Sequence, residues 1–218
     1  MGIELKDNGE VAVTMDEYIE ECMEAFGEEL NRRSVNPAKG NLFSADEDEK
    51  SSKLLNDEIG DVFHHIVAKL LFVAKRSRID VDLAVSYLCT RVSSPTEGDW
   101  DKLRRVLTYL KMTLGMPSIL GANGLEVLQT WVDASYAVHR DMKSHTGGVM
   151  SLRTGIFHRK SRKQKLHTKS STEAELVGTS DYLAWTLWAK RFLEEQGFIC
   201  HEIFFYQDNE SAIKLKKW

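Results

Sequence analysis

Apolar residues recur along this chain in two different rhythms, and the change between them falls near residue 120. Within residues 2–13, Ile3 and Leu5 alternate with polar neighbours, as do Val11 and Val13, around an Asp7-Asn8-Gly9 turn. That pattern predicts a β-hairpin. Met15, Ile19, Cys22, Met23, Phe26 and Leu30 then fall on one helical face, behind a Thr14-x-x-Glu17 capping-box pattern. Residues 31–52, with Pro37, Gly40 and the acidic run Asp46-Glu47-Asp48-Glu49, read as a long loop. Helical spacing returns over residues 57–76 through Ile59, Phe63, Ile66, Val67, Leu70 and Leu71, closing on Lys75-Arg76. Two more helices are predicted over 80–91 and 99–114, parted by Ser93-Ser94-Pro95.

Gly115, Met116-Pro117 and Gly121-Ala122-Asn123-Gly124 mark a boundary by turn chemistry. Beyond it the rhythm becomes that of strands, over residues 127–138, 148–153 and 155–160, with Thr146-Gly147-Gly148 and Thr154-Gly155 as turns. A long helix is expected over 171–196 and is closed by Gly197; a strand over 203–206 and a helix over 209–217 follow. Trp185, Trp188 and Phe192, at i, i+3 and i+7 on the long helix, are expected in its core. The order predicts a mixed α/β (α+β) fold: a largely helical segment over residues 1–124, then an α/β domain over 125–218.

Composition narrows the class. A chain of 218 residues with 42% hydrophobic and 28% charged positions can bury real cores. The net charge of -4 hides an asymmetry, because residues 1–60 hold 6 Lys/Arg against 16 Asp/Glu. From His139 to Ser170, nine Lys/Arg and four His face one acid, Asp141, a local excess suited to a polyanion. Cys22, Cys89 and Cys200 are widely spaced and form no CxxC pair, which argues against a disulfide framework or a zinc site and for a reducing, intracellular setting. The most apolar stretch, residues 66–73, is far shorter than the ~20 residues of a spanning helix, so no membrane role is expected.

Three carboxylates stand at positions where an α/β sheet opens to ligands. Asp133 is the one charged residue in the core of its strand, Glu175 lies near the start of the long helix, and Asp208 follows a strand. Three acids among cations suit Mg²⁺ bound beside phosphate, since carboxylates are hard oxygen ligands. Two such ions can activate water and stabilise a leaving oxygen in phosphodiester cleavage. Glu173 competes with Glu175, because a capping box can use Ser170 with Glu173 or Thr172 with Glu175. His64 and His65 are adjacent and point about 100° apart, which favours packing or surface exposure over chelation.

Four spaced motifs carry a resemblance: Asp133-Ala134-Ser135; Ser144-His145-Thr146-Gly147-Gly148; Gln164-Lys165 with Lys169-Ser170-Ser171-Thr172-Glu173-Ala174-Glu175; and Tyr206-Gln207-Asp208-Asn209. Together, in this order, they resemble the ribonuclease H region of Ty/copia-type retrotransposon polyproteins. The Phe63-His64-His65 block, Ile79-Asp80 and the Trp100-Asp101-Lys102-Leu103 helix are similar to the thumb and connection segment after that family's reverse transcriptase palm. The resemblance implies that Asp133, Glu175 and Asp208 are catalytic metal ligands, with Glu175, before Leu176, preferred over Glu173. It further implies two Mg²⁺ ions, with Mn²⁺ as a substitute, and hydrolysis of the RNA strand of an RNA–DNA hybrid. The implied partners are that hybrid or another nucleic acid and the rest of the polyprotein, and the implied setting is the cytoplasm, a virus-like particle or the nucleus.

Two departures accompany the resemblance. No Tyr-x-Asp-Asp motif is present, so polymerisation by this chain alone is not expected. The family's fourth carboxylate would follow Trp218, so the implied site has three of four acids, and a catalytically inactive remnant with nucleic-acid-binding ability is the alternative. An integrase-like domain of similar fold is disfavoured, because there the Glu follows the second Asp, whereas Glu175 precedes Asp208.

Overall fold

Helical periodicity in the first half of the chain resolves into helices around one apolar core. The computed structural model describes residues 1–40, 42–43, 52–122 and 124–215. Asp46-Glu47-Asp48-Glu49, Asn123, and Lys216 and Lys217 of the last expected helix lie outside the described residues. The chain forms two units: Met1–Glu4 with Ala12–Ser118, and Leu5–Val11 with Ile119–Trp218.

Strands β1 (Gly2–Leu5) and β2 (Val11–Thr14), which belong to the first unit except for Leu5 and Val11, precede helix α1 (Asp16–Phe26). The expected Thr14–Glu17 capping box does not form: Met15 is the N-cap and makes no side-chain cap bond. The helix also ends earlier than the apolar spacing suggests, at Gly27, whose φ of 69° is the left-handed value that closes a helix. Leu30 is nevertheless buried beyond that end.

Helix α2 (Asp57–Arg76) starts where the Asn56 side chain accepts the amide of Ile59. It buries Phe63, Ile66, Val67, Leu70 and Val73, while Ile59 is exposed, contrary to its place in the apolar spacing. His64 and His65 are both exposed. The helix expected over 80–91 splits into a 3₁₀ turn (Ile79–Val81) and helix α3 (Asp82–Cys89). The preceding Arg78 is buried, and its guanidinium donates to Asp80 and to both the carbonyl and hydroxyl of Thr113. Helix α4 (Glu97–Met112) opens with a capping box between Thr96 and Asp99 that the sequence reading missed. Phe26, Phe63, Leu70, Leu88, Leu103 and Leu107 belong to the one large core these helices share.

In the second unit, β3 (Ser118–Ala122) lies where turn chemistry suggested a linker and pairs with the short β6 (Arg153–Thr154). The main sheet contains β4 (Val127–Ser135), β5 (His145–Ser151), β7 (Ile156–Lys163) and β8 (Glu202–Tyr206) in the order β7-β5-β4-β8. It is mixed: β4 pairs with β8 in parallel, and β5 pairs antiparallel with β4 and β7. Helix α5 (Ser171–Glu195) packs on it, and α6 (Glu210–Leu215) follows β8. The fold is therefore mixed α and β, and among the described residues no helix is long and apolar enough to cross a membrane.

Thr146-Gly147-Gly148 is not a turn but the interior of β5. Gly148 is there because a Cβ would sit 2.4 Å from the Tyr182 ring of α5. The Tyr182 hydroxyl donates to the carbonyls of Gly148 and Lys160, tying the helix to two strands. A second correction concerns Trp185, Trp188 and Phe192, which are 39%, 58% and 50% exposed rather than core. The buried face of α5 is instead Ala174, Gly178, Tyr182, Thr186 and Ala189. Small residues let the helix backbone approach the sheet closely, and at Gly178 an added Cβ would meet Thr146 at 3.1 Å.

Candidate metal centre

The alternation of β4 decides which of its side chains face α5. Leu128, Thr130, Val132 and Ala134 are buried beneath the helix, leaving Trp131, Asp133 and Ser135 on the exposed face. On the parallel neighbour β8, Trp131 pairs with Tyr206. Continuing that register by two residues sets Asp133 opposite Asp208, one residue past the Gln207 that follows the strand. The indole of Trp131 stacks on the Tyr206 ring at 5.0 Å and 10°, which locks the register directly before the two carboxylates.

The third acid comes from the helix. Ser170 is the N-cap of α5, accepting the Glu173 amide at 3.2 Å, and the Glu173 carboxylate reaches back to the Lys169 amide at 2.7 Å. The cap partnership of Ser170 and Glu173 thus forms, with the back-bond landing one residue before the N-cap. Glu173 is spent in that cap. Glu175, just beyond the first turn, is buried; its Oε1 accepts the Ala134 amide at 3.1 Å and its Oε2 the Gln207 Nε2 at 3.0 Å.

One ligand atom from each of Asp133, Glu175 and Asp208 lies within 4.8 Å of the others. Burial pushes the Glu175 carboxyl above its ordinary value, and the charges of Asp133 and Asp208 push it the same way, against the hydrogen bonds from Gln207 and Ala134. Three converging oxygen donors, with two acids raising the third, form a hard, electron-rich set that fits a divalent cation such as Mg²⁺.

Comparison with known proteins supplies the lineage. The chain is 28% identical over 94% of its length to the retrovirus-related Pol polyprotein from transposon TNT 1-94 of Nicotiana tabacum, covering 16% of that protein. It is 31% identical over 70% of its length to the corresponding polyprotein of transposon RE2 from Arabidopsis thaliana, covering 11% of it. A putative transposon Ty5-1 protein of Saccharomyces cerevisiae is 24% identical over 83% of the chain, with 58% of that protein covered. The chain is related to Ty/copia-type retrotransposon polyproteins. It spans less than two thirds of each of these relatives. No family model and no solved structure matches it.

In this retrotransposon-related chain the residues of the remaining sequence motifs brace the loops and strands around the centre. Gln164 donates from Nε2 to the Thr146 hydroxyl and the Ala174 carbonyl, joining β5 to the first turn of α5. The Ser144 hydroxyl accepts the Ala137 amide and bonds the Thr168 hydroxyl, closing the loop after β4. Nearby, His139 Nε2 meets His145 Nδ1 at 3.0 Å, and His145 Nε2 meets the Ser161 hydroxyl at 2.7 Å. Burial lowers both imidazoles, to about 4 for His139 and about 3 for His145. Gln207, which orients Glu175, was missed from sequence; its place between Tyr206 and Asp208 was the only signal for it.

Proposed function

We propose that this retroelement-derived chain is a metal-dependent ribonuclease H that hydrolyses the RNA strand of RNA–DNA hybrids, with its first unit serving as a thumb/connection-like segment. The observation that carries the reading is the convergence of Asp133, Glu175 and Asp208 within 4.8 Å at the end of two parallel strands. Its relation to retrotransposon polyproteins supports the same reading.

Asp133, Glu175 and Asp208 would hold Mg²⁺. A bound pair of such ions lowers the pKa of an attacking water and offsets charge on the leaving oxygen. Asp133 and Asp208 present exposed carboxylates toward solvent, where a phosphodiester can approach. Glu175 is held from behind by Ala134 and Gln207, so its carboxylate keeps one orientation without reorganising as charge develops. The cations between residues 139 and 170 offset the backbone charge of the nucleic acid.

The test uses two preparations of one hybrid, labelled either on the RNA or on the DNA strand, incubated with the full chain and Mg²⁺. Cleavage of the RNA label alone, lost in Asp133→Asn and with EDTA, is expected. Absence of cleavage, or cleavage undiminished by Asp133→Asn, overturns the reading.

A further inference from the structure

Helix α5 carries a second stripe beside its buried face: Asp181, Trp185, Trp188 and Phe192, at i, i+4, i+7 and i+11. Its rings form a continuous row. Trp185 stacks on His158 of β7 at 5.2 Å and 27°, meets Trp188 edge-on at 6.3 Å, and Trp188 stacks on Phe192 at 5.4 Å and 15°. The Lys160 ammonium lies 5.2 Å over the Trp185 ring, and Arg162 pairs with Asp181. His158, Lys160 and Arg162 alternate along β7, the edge strand of the sheet, so all three share the side that meets α5. Trp188 lies about 20 Å along the helix axis from Glu175, well away from the metal centre.

Half-exposed rings in an unbroken row are a costly surface unless something covers them. The cations beside them decide what. The core of a protein–protein interface is depleted in Lys, whereas a single strand of nucleic acid presents flat bases together with phosphates, the complement of a row of rings with a lysine at one end. We propose that the Trp185–Trp188–Phe192 row, with Lys160 beside it, binds single-stranded nucleic acid, bases stacking on Trp188 and Phe192 and a phosphate facing Lys160. The site is separate from the proposed nuclease centre and needs no metal.

Fluorescence anisotropy of a labelled dodecathymidylate, titrated with the full chain in EDTA, tests this without involving the carboxylates. Binding is expected to weaken with salt, and Trp188→Ala and Phe192→Ala are each expected to reduce affinity by at least about fivefold, the low end for one stacked base. Trp188→Phe, which keeps a stacking face, is expected to restore most of it, and the circular dichroism of all three variants to match the parent. Unchanged affinity in both alanine variants overturns the proposal. So does equal affinity for a duplex of the same length, or a concentration-dependent dimer abolished by Trp188→Ala, which would make a second copy the occupant. A chain that binds the oligonucleotide through this row but cuts no hybrid loses the nuclease reading and keeps this one; a chain that cuts while both alanine variants bind normally does the reverse.

Discussion

The Ala134 amide donates to Oε1 of Glu175 at 3.1 Å, so the strand that carries Asp133 also positions the acid that faces it. Buried carboxylates ordinarily gain cations; this one gains an amide, the Gln207 side chain and two acids nearby. The cluster therefore gathers negative charge around a buried carboxylate, at some expense to the metal-free fold.

Glu175→Gln should reveal that expense. Glutamine removes the buried charge and can still accept the Ala134 amide, but its amino group then opposes the Gln207 Nε2, so the metal-free melting temperature is expected to rise by only about 1 °C. Millimolar Mg²⁺ is expected to stabilise the parent and not the variant, by binding only the folded parent. Thermal unfolding with and without Mg²⁺ reads both effects; an equal Mg²⁺ shift in the two proteins counts against the assignment of Glu175.

Acid should weaken the second unit through His139 and His145. Burial is the main cause holding them at about 4 and about 3, with Lys163 also lowering His139 and His139 lowering His145, while Asp141 opposes. Their ordinary value is 6.5, so the unfolded chain takes up protons first. The stability they contribute is full above that value and is lost as pH falls through about 4 and then about 3. Urea midpoints are expected to decline from pH 7 to pH 4.5, and less steeply in a His139→Gln, His145→Gln double variant. Parallel declines would show that other groups govern the acid limb.

Gly148→Ala is expected to cost about 1–3 kcal/mol, because the new methyl overlaps the Tyr182 ring and overpacking of this kind is hard to relieve. Tyr182 cannot withdraw without giving up its bonds to the carbonyls of Gly148 and Lys160. Gly147→Ala meets nothing within 4 Å and should cost clearly less. Chemical denaturation of the two variants side by side checks the difference in sign and size.

Hydrogen exchange should separate the units. The first shares a large apolar cluster that includes Phe63, Leu70 and Leu107, whereas the small second cluster holds Leu128, Met150, Ala189 and Cys200. Amides of α2 and α4 are expected to exchange more slowly than those of β8 and α6. Slower exchange around Tyr206 than in α2 would reverse that ranking.

The sequence made some of this legible and concealed the rest for identifiable reasons. Helix α2 was readable because Phe63, Ile66, Val67 and Leu70, spaced at helical intervals, face one core. Asp133, Glu175 and Asp208 stood out as isolated acids beside strand and helix ends, and their convergence follows from a parallel register that periodicity alone does not contain. Gly147-Gly148 read as a turn because the need for glycine arises from a ring 34 residues away, at Tyr182. Trp185, Trp188 and Phe192 read as core because two stripes of α5 fit helical spacing, and close approach at Gly178 selected the one with small residues.

The central claim is that Asp133, Glu175 and Asp208 form one divalent-metal site. Crystals of the chain equilibrated with Mn²⁺, measured for anomalous scattering, test it most directly. An anomalous peak within coordinating distance of all three carboxylates, absent in Asp133→Asn crystals prepared alike, is the predicted result. A map with no peak there, or with the same peak in the variant, would contradict it.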